Sequence, residues 1–142
     1  MAFELDKQLE KETVKIISLP LCDVLLSKED IGPWLILVPR VENKTEIFQL
    51  TLEDQRQLLQ ESSLISEMLK IEFNADKMNV AAIGNVVPQL HVHHVARFYN
   101  DAIWPKPIWG NTSGQQMSEN KLNRVIEQIS TYLNASSSIT GL

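Results

Sequence analysis

Short apolar blocks of the length typical of β-strands recur along the chain. They cover residues 14–19, 21–26, 34–38, 78–83 and 90–98. Pro20 separates the first two blocks and Pro39 closes the third, and a proline cannot donate a hydrogen bond to a central strand ladder. A polar turn that contains Gly32 and Pro33 precedes the third block. The pattern predicts five strands.

Three other segments space their apolar residues three and four positions apart, as amphipathic helices do. The longest begins after Thr51, which with Asp54 resembles a capping box, and extends to about Glu72. The others are a short leading helix over 4–12 and a C-terminal helix over 122–133. Because the strands cluster in sequence and the long helix lies between the third and fourth, we expect an α+β fold on an antiparallel sheet.

Length and charge narrow the classes of partner. The chain has 142 residues, so we expect a single domain over residues 1–134 and a frayed, serine-rich tail over 135–142. Lys and Arg total 13 against 18 Asp and Glu, a net charge of -5 with neutral histidines. Nucleic acid and membrane surfaces are therefore not expected as partners. A small phosphate ligand remains compatible, because it needs only a few aligned donors.

Cysteine usage and the N-terminus bear on the compartment. Cys22 is the one cysteine, so the chain has no intramolecular disulfide and no thiolate-rich zinc site. The N-terminal residues lack a basic region followed by an apolar run, and no apolar stretch approaches the roughly 18 residues of a membrane span. These absences predict a cytoplasmic protein. Cys22 lies in an apolar strand block, which indicates a buried thiol and not a nucleophile.

All three histidines, His91, His93 and His94, fall within four residues of the last strand block. On an extended strand Gln89, His91 and His93 project to one face and His94 to the other. Imidazole serves as a nucleophile and as a general acid or base near neutral pH. Two alternatives remain at this point: the pair is structural, or it binds zinc together with a carboxylate from elsewhere.

Two parts of the chain resemble the histidine-triad (HIT) family. Residues 84–97 read Gly-Asn-Val-Val-Pro-Gln-Leu-His-Val-His-His-Val-Ala-Arg, similar to the family signature in which three histidines alternate with hydrophobic residues after a turn. Residues 34–40 and 50–54 look like the strand, the proline and the helix start that accompany this signature. The resemblance implies a five-stranded antiparallel sheet, a homodimer, no cofactor, and activity on the α-phosphate of nucleotides or nucleotide conjugates.

The resemblance also assigns roles to individual residues. His91 matches the nucleophile, which forms a covalent nucleotidyl-histidine (a phosphoramidate) that water then hydrolyses. Its other ring nitrogen is expected to donate to a backbone carbonyl or a similar acceptor. His93 matches the third histidine, which contacts phosphate oxygens or assists the leaving group. Asn85 matches a phosphate or leaving-group contact in the turn, and Gly84 lets the backbone approach the ligand.

Two positions depart from the family pattern. Gln89 stands in place of the first histidine, and an amide forms hydrogen bonds but delivers no proton at neutral pH. General acid catalysis typically contributes about 10²- to 10⁴-fold to the rate, and Gln89 is expected to reduce or remove this contribution. Val86 stands where the family has Thr or Ser, which removes one hydroxyl donor. The alternative to a hydrolase is thus a catalytically weak or inactive nucleotide-binding module of the same fold.

Other side chains near the motif have both a functional and a structural interpretation. Arg97 shares the face of the histidine pair, where its guanidinium matches phosphate geometry, or it is simply solvated. Trp104 and Trp109 stack on a base or cover the site, or else anchor their loop. Trp34 begins a strand and is expected in the core. His94 is expected at the surface or the edge of the core, outside the chemistry.

Overall fold

The computed structural model describes residues 2–135. In chain order the elements are α1 (Lys7–Glu12), β1 (Thr13–Ser18), β2 (Cys22–Ser27), β3 (Trp34–Pro39), a 3₁₀ turn (Ile47–Gln49), α2 (Leu52–Glu72), β4 (Lys77–Ala81), β5 (Val92–Arg97) and α3 (Glu119–Ala135). The predicted tail over 135–142 lies outside the described residues except for Ala135, which ends α3.

The five strands form one antiparallel sheet in the order β1-β2-β3-β5-β4. The predicted α+β fold is therefore confirmed. Strand β5 lies between β3 and β4, where His93 pairs with Ile36 on one side and Ala81 on the other. No helix within residues 2–135 has the length and apolar character needed to cross a membrane.

Helices α2 and α3 cover one face of the sheet. Their apolar residues and the inward residues of the strands form the main core, in which Leu35, Ile65 and Leu133 are almost inaccessible to solvent. Cys22 also lies there, so the expected buried thiol is confirmed. Burial and the neighbouring Glu61 carboxylate raise the pKa of the Cys22 thiol, which keeps the sulfur protonated.

A smaller apolar cluster lies on the opposite face of the sheet. Leu25, Ile36 and Val38 contribute from the strands, and Leu9 of α1 packs against them. The N-terminal segment covers this face, because Phe3 and Leu5 pack on the same cluster. Two long helices therefore cover one face of the sheet, whereas only the short N-terminal segment covers part of the other face.

Two element boundaries differ from the sequence predictions in a way that affects the site. The last strand begins at Val92 and not at residue 90, because the N–H of Leu90 donates to the carbonyl of Lys44 in a loop, outside the strand ladder. The leading helix begins at Lys7 and not at residue 4, with Asp6 as its N-cap. Residues 4–6 and 89–91 are thus free of regular structure and lie next to each other.

Candidate functional site

A cavity of about 780 Å³ opens on the sheet face that α2 and α3 leave uncovered. Its walls come from α1, the end of β2, the turn after β4 and the loop after β5. His91 and His93 both line it, so the structure brings the predicted pair together. A volume of this size is typical of sites for small molecules and cofactors.

His91 is held by its own neighbourhood in the chain. Its Nδ1 lies 2.6 Å from the backbone carbonyl oxygen of Gln89. A carbonyl oxygen only accepts hydrogen bonds, so Nδ1 carries the proton and Nε2 of the neutral ring keeps its lone pair. The expected bond from the second ring nitrogen to a backbone carbonyl is thus present. It leaves a nucleophilic nitrogen on His91.

His93 has the opposite arrangement. The indole Nε1 of Trp34 donates to Nδ1 of His93 at 3.0 Å. Because an indole nitrogen only donates, this Nδ1 must accept, and the neutral ring carries its proton on Nε2. Burial, together with the neighbouring His91 and His94, lowers the pKa of His93 to about 3. At pH 7 His93 is therefore a neutral ring that offers one N–H donor.

The neutral imidazoles of His91 and His93 are adjacent and have opposite tautomers. Their centroids are 4.8 Å apart and the rings meet edge to face at 76°. His91 presents a lone pair and His93 presents a hydrogen on the corresponding ring nitrogen. Such a pair suits attack on an electrophilic centre whose oxygen atoms need a hydrogen-bond donor.

Trp34 is the site residue that sequence reasoning missed. We expected it in the core, but it is half-buried and lines the cavity. It pairs with Val95 in the sheet, and His93 is therefore its diagonal neighbour on the same face. The local sequence shows only a tryptophan at the start of a strand. Its contact with His93 arises because β3 lies beside β5 in the sheet.

The turn before β5 forms another part of the wall. Gly84 and Asn85 line the cavity, and Gly84 has a φ of 69°, a conformation that favours glycine. A Cβ at Gly84 would lie 3.7 Å from the carbonyl of Val87, an ordinary contact. The backbone conformation, and not the space, therefore requires glycine. Val86 is 89% exposed at the same wall.

Gln89 lies outside the cavity, so the predicted common face is wrong for this residue. Its Oε1 accepts from the N–H of Asp6 and its Nε2 donates to the carbonyl of Glu4, both at 2.8 Å. The alternation of faces does not extend to position 89, because β5 begins only at Val92. The amide therefore meets the N-terminal segment instead of the ligand space.

Arg97 is also absent from the cavity lining and is not placed to bind phosphate there. Its guanidinium is 1% exposed and makes a two-pronged ion pair with Asp101, with Nε at 2.8 Å from Oδ2. It also donates to Asn79 and lies under the ring of Trp104. The reason is local, since Asp101 follows four residues later and captures the cation.

The two loop tryptophans differ in position, because Trp109 lines the cavity and Trp104 does not. Trp104 contacts Arg97 and Tyr99 and does not line the cavity, so its predicted ligand contact is not supported by its position. Trp109 lines the cavity with its ring 5.4 Å from that of His93. The indole nitrogen of Trp109 is buried without a hydrogen-bond partner among the described residues.

His94 projects to the helix-covered face, as the alternation predicts, but it is fully buried in the core and not at its edge. Its Nε2 lies 2.7 Å from the Ser62 hydroxyl of α2. Burial lowers the pKa of His94 to about 4. Within residues 2–135 no group of three His, Cys, Asp or Glu side chains is arranged to hold a metal ion.

The HIT domain family model matches residues 8–100. The chain therefore belongs to the HIT family. A histidine triad protein from Marinobacter aquaeolei VT8 is 43% identical, with a TM-score of 0.90 over 94% of this chain and 98% of that one. A histidine triad protein from Bradyrhizobium japonicum is 41% identical, with a TM-score of 0.88 over 91% and 96%.

A further solved structure of lower identity shares the fold alone. It is the diadenosine triphosphate hydrolase of Plasmodium falciparum in complex with cyclomarin A, which is 17% identical with a TM-score of 0.62 over 94% of this chain and 84% of that one. No curated protein matches the chain.

Replacing Trp34 with phenylalanine removes the donor to His93 and keeps an aromatic ring. In Trp34→Phe we expect His93 to populate both neutral tautomers, because nothing then holds its Nδ1 as an acceptor. Long-range proton–nitrogen NMR at neutral pH measures the tautomer from the ring-nitrogen shifts. Trp104→Phe is the matched control, since that indole contacts Arg97 and not His93. Unchanged His93 shifts in Trp34→Phe would contradict the assignment.

The ion pair between Arg97 and Asp101 predicts a contribution to the free energy of unfolding that depends on pH. The Arg97 guanidinium and three backbone N–H groups lower the pKa of Asp101 to about 2, below the roughly 3.9 of an unfolded chain. The stabilisation is therefore complete above about pH 4 and is lost as the pH falls towards 2. We expect Asp101→Asn to be less stable than wild type at pH 7, with the difference shrinking below pH 4.

Urea unfolding at pH 7, 4 and 2.5 measures this difference. Glu67→Gln is the control, because the Glu67 carboxylate is exposed on α2. We expect its unfolding midpoint to follow that of wild type at all three pH values. A gap between Asp101→Asn and wild type that stays constant down to pH 2.5 would contradict the ion pair as the source of stability.

Proposed function

We propose that the protein is a nucleotide hydrolase or nucleotidyl transferase that cleaves nucleotide conjugates at the α-phosphate through a covalent nucleotidyl-His91. The observation that carries the proposal is the bond from His91 Nδ1 to the Gln89 carbonyl, because this bond places the lone pair of the neutral ring on Nε2 in a residue of the cavity wall. Family membership and the fold shared with a diadenosine triphosphate hydrolase support the substrate class.

The reaction has two displacements. In the first, His91 Nε2 bonds to the α-phosphorus while the bond from phosphorus to the leaving group breaks, and the leaving group takes the electron pair. In the second, water bonds to phosphorus and loses a proton to solvent, and the electron pair of the phosphorus–nitrogen bond returns to Nε2. A transferase differs only in replacing water by another acceptor.

His93 stabilises the charge that develops in both steps. Its Nε2–H donates to a phosphate oxygen, and a positioned donor of this kind stabilises the transition state by hydrogen bonding. Because the pKa of His93 is about 3, the ring is neutral at pH 7 and supplies no proton to the leaving group. The best substrates should therefore have leaving groups that are stable as anions, such as a phosphate.

The turn and the loop complete the proposed binding site. The Asn85 amide makes no hydrogen bond to any described residue and lines the cavity, so it is available to a phosphate oxygen or the leaving group. The backbone at Gly84 follows the same wall. Trp109 offers a ring and an unpaired N–H to the bound molecule. A homodimer and a cytoplasmic location are further parts of the proposal, and sedimentation tests the first.

His91→Ala provides the first test of this function. Wild type is reacted briefly with a dinucleoside polyphosphate and analysed by peptide mass spectrometry under non-acidic conditions, which should find a nucleotidyl group on His91. We expect His91→Ala to lose the adduct and about 10³-fold or more of kcat. Equal turnover by His91→Ala would refute the proposal. Tight AMP binding by wild type without any turnover would instead identify a nucleotide-binding module.

The neutrality of His93 predicts a steep dependence on the leaving group. In a series of aryl esters of AMP, we expect kcat/KM to fall by about 10²-fold between nitrophenol and phenol leaving groups, because no side chain protonates the departing oxygen. The constant kcat/KM is the appropriate readout, since it covers the step in which that bond breaks. A flat series would show that some group does supply the proton.

A further inference from the structure

The amide of Gln89 binds the N-terminal segment at two points. Its Oε1 accepts from the N–H of Asp6 and its Nε2 donates to the carbonyl of Glu4, each at 2.8 Å. These bonds join parts of the chain more than 80 residues apart in sequence. Both polar groups of the side chain are therefore already used, so the amide is committed to this contact.

The match between the amide and this segment is geometric. The carbonyl of Glu4 and the N–H of Asp6 face the same side of the chain, as the corresponding groups two residues apart do on an extended strand. A side-chain amide presents an acceptor and a donor side by side, as the C=O and the N–H of a single residue do on an extended strand. Gln89 thus pairs with residues 4 and 6 as a neighbouring strand would.

The contact also reaches the residue at which α1 starts. Asp6 is the N-cap of α1, and its carboxylate accepts from the N–H of Gln8 at 2.8 Å. Gln8, Leu9 and Glu12 of this helix line the cavity. Gln89 therefore holds one wall of the cavity from outside it.

The same residue holds His91. The backbone carbonyl of Gln89 accepts from Nδ1 of His91 at 2.6 Å, while the Gln89 side chain holds Glu4 and Asp6. Residues 88–91 have no strand ladder to fix them, since β5 begins at Val92. The Gln89 amide and the bond from the Leu90 N–H to the Lys44 carbonyl therefore fix the peptide that orients the ring, one on each side of it.

We infer that Gln89 is a positioning residue that couples the N-terminal segment, residues 3–12, to the orientation of His91. The segment is then a working wall of the substrate site, and its attachment keeps His91 Nε2 directed at the ligand. This inference rests on the proposed function, in which His91 is the nucleophile. It also gives the departure from the family triad a role, because the amide anchors a wall where a histidine would carry a proton.

Gln89→Met tests the coupling by removing the amide and keeping a side chain of similar length. We expect the ring-nitrogen shifts of His91 to move towards a mixture of tautomers, and kcat to fall by about 10- to 100-fold with a smaller change in KM. Gln55→Met is the matched control. Gln55 also donates its amide to a backbone carbonyl, that of Leu50, and does not line the cavity. We expect the control to stay within about twofold of wild type.

A second pair of variants breaks the contact from the other side. Asp6→Pro removes the N–H that Gln89 accepts, and the φ of -54° at Asp6 is one that proline adopts. Asp6→Ala loses the same carboxylate cap and keeps the N–H. We expect Asp6→Pro to shift the His91 ring signals and Asp6→Ala to leave them in place. This comparison also serves if Gln89→Met fails to fold.

Gln89→His separates positioning from proton delivery. An imidazole directs its two nitrogens apart and so fails to span Glu4 and Asp6 as the amide does. We expect turnover to fall in Gln89→His. A rise in kcat would overturn the inference, because it would show that position 89 lacks only an acid. Unchanged His91 shifts in both Gln89→Met and Asp6→Pro would also overturn it.

The NMR signals separate this inference from the proposed function. If His91 shifts in both variants but no nucleotide conjugate is turned over by wild type, the coupling stands and the enzymatic function fails. If wild type is active and neither kcat nor the His91 signals respond to the variants, the coupling fails and the enzymatic function stands.

Discussion

The alternation of side chains along β5 is the constraint on which the site depends. Strands β3 and β4 bind β5 on both sides, so its register is fixed, and successive residues must point to opposite faces. His93 thereby enters the cavity, while His94 enters the core against Ser62. A slip by one residue would exchange the two rings and would also place a polar strand face against α2.

Hydrogen-bonding partners of opposite kind then give two chemically identical side chains different roles. A carbonyl oxygen can only accept, and it fixes the proton of His91 on Nδ1. An indole nitrogen can only donate, and it fixes the proton of His93 on Nε2. Both tautomers are thus fixed by neutral groups, a carbonyl and an indole, and neither ring needs a neighbouring carboxylate.

The sequence was sufficient for the fold and for the central histidine pair, because both follow from short-range patterns. The strand blocks and the helical spacings predicted the α+β sheet, and the alternation predicted which faces His93 and His94 occupy. The family resemblance added the bond from His91 to a backbone carbonyl. These features need only the residues next to them in the chain.

The remaining placements depend on contacts between distant segments. The apolar pattern extends the last predicted strand back to residue 90 and so places Gln89 on the catalytic face. The bond from the Leu90 N–H to the Lys44 carbonyl, which ends the ladder, joins segments that are far apart in the sequence. Trp34 reaches His93 only because β3 and β5 are neighbours in the sheet. Arg97 is different, since its partner Asp101 is only four residues away and was visible in the sequence.

The tryptophans of the cavity have a practical consequence for optical measurements. Trp34 and Trp109 both lie within ring contact of His93 and both line the cavity, whereas Trp104 lies outside it. Two of the three tryptophans of the chain therefore lie beside the ligand space. Occupation of the cavity should therefore change the native fluorescence directly, and the unlabelled protein reports on its own binding site.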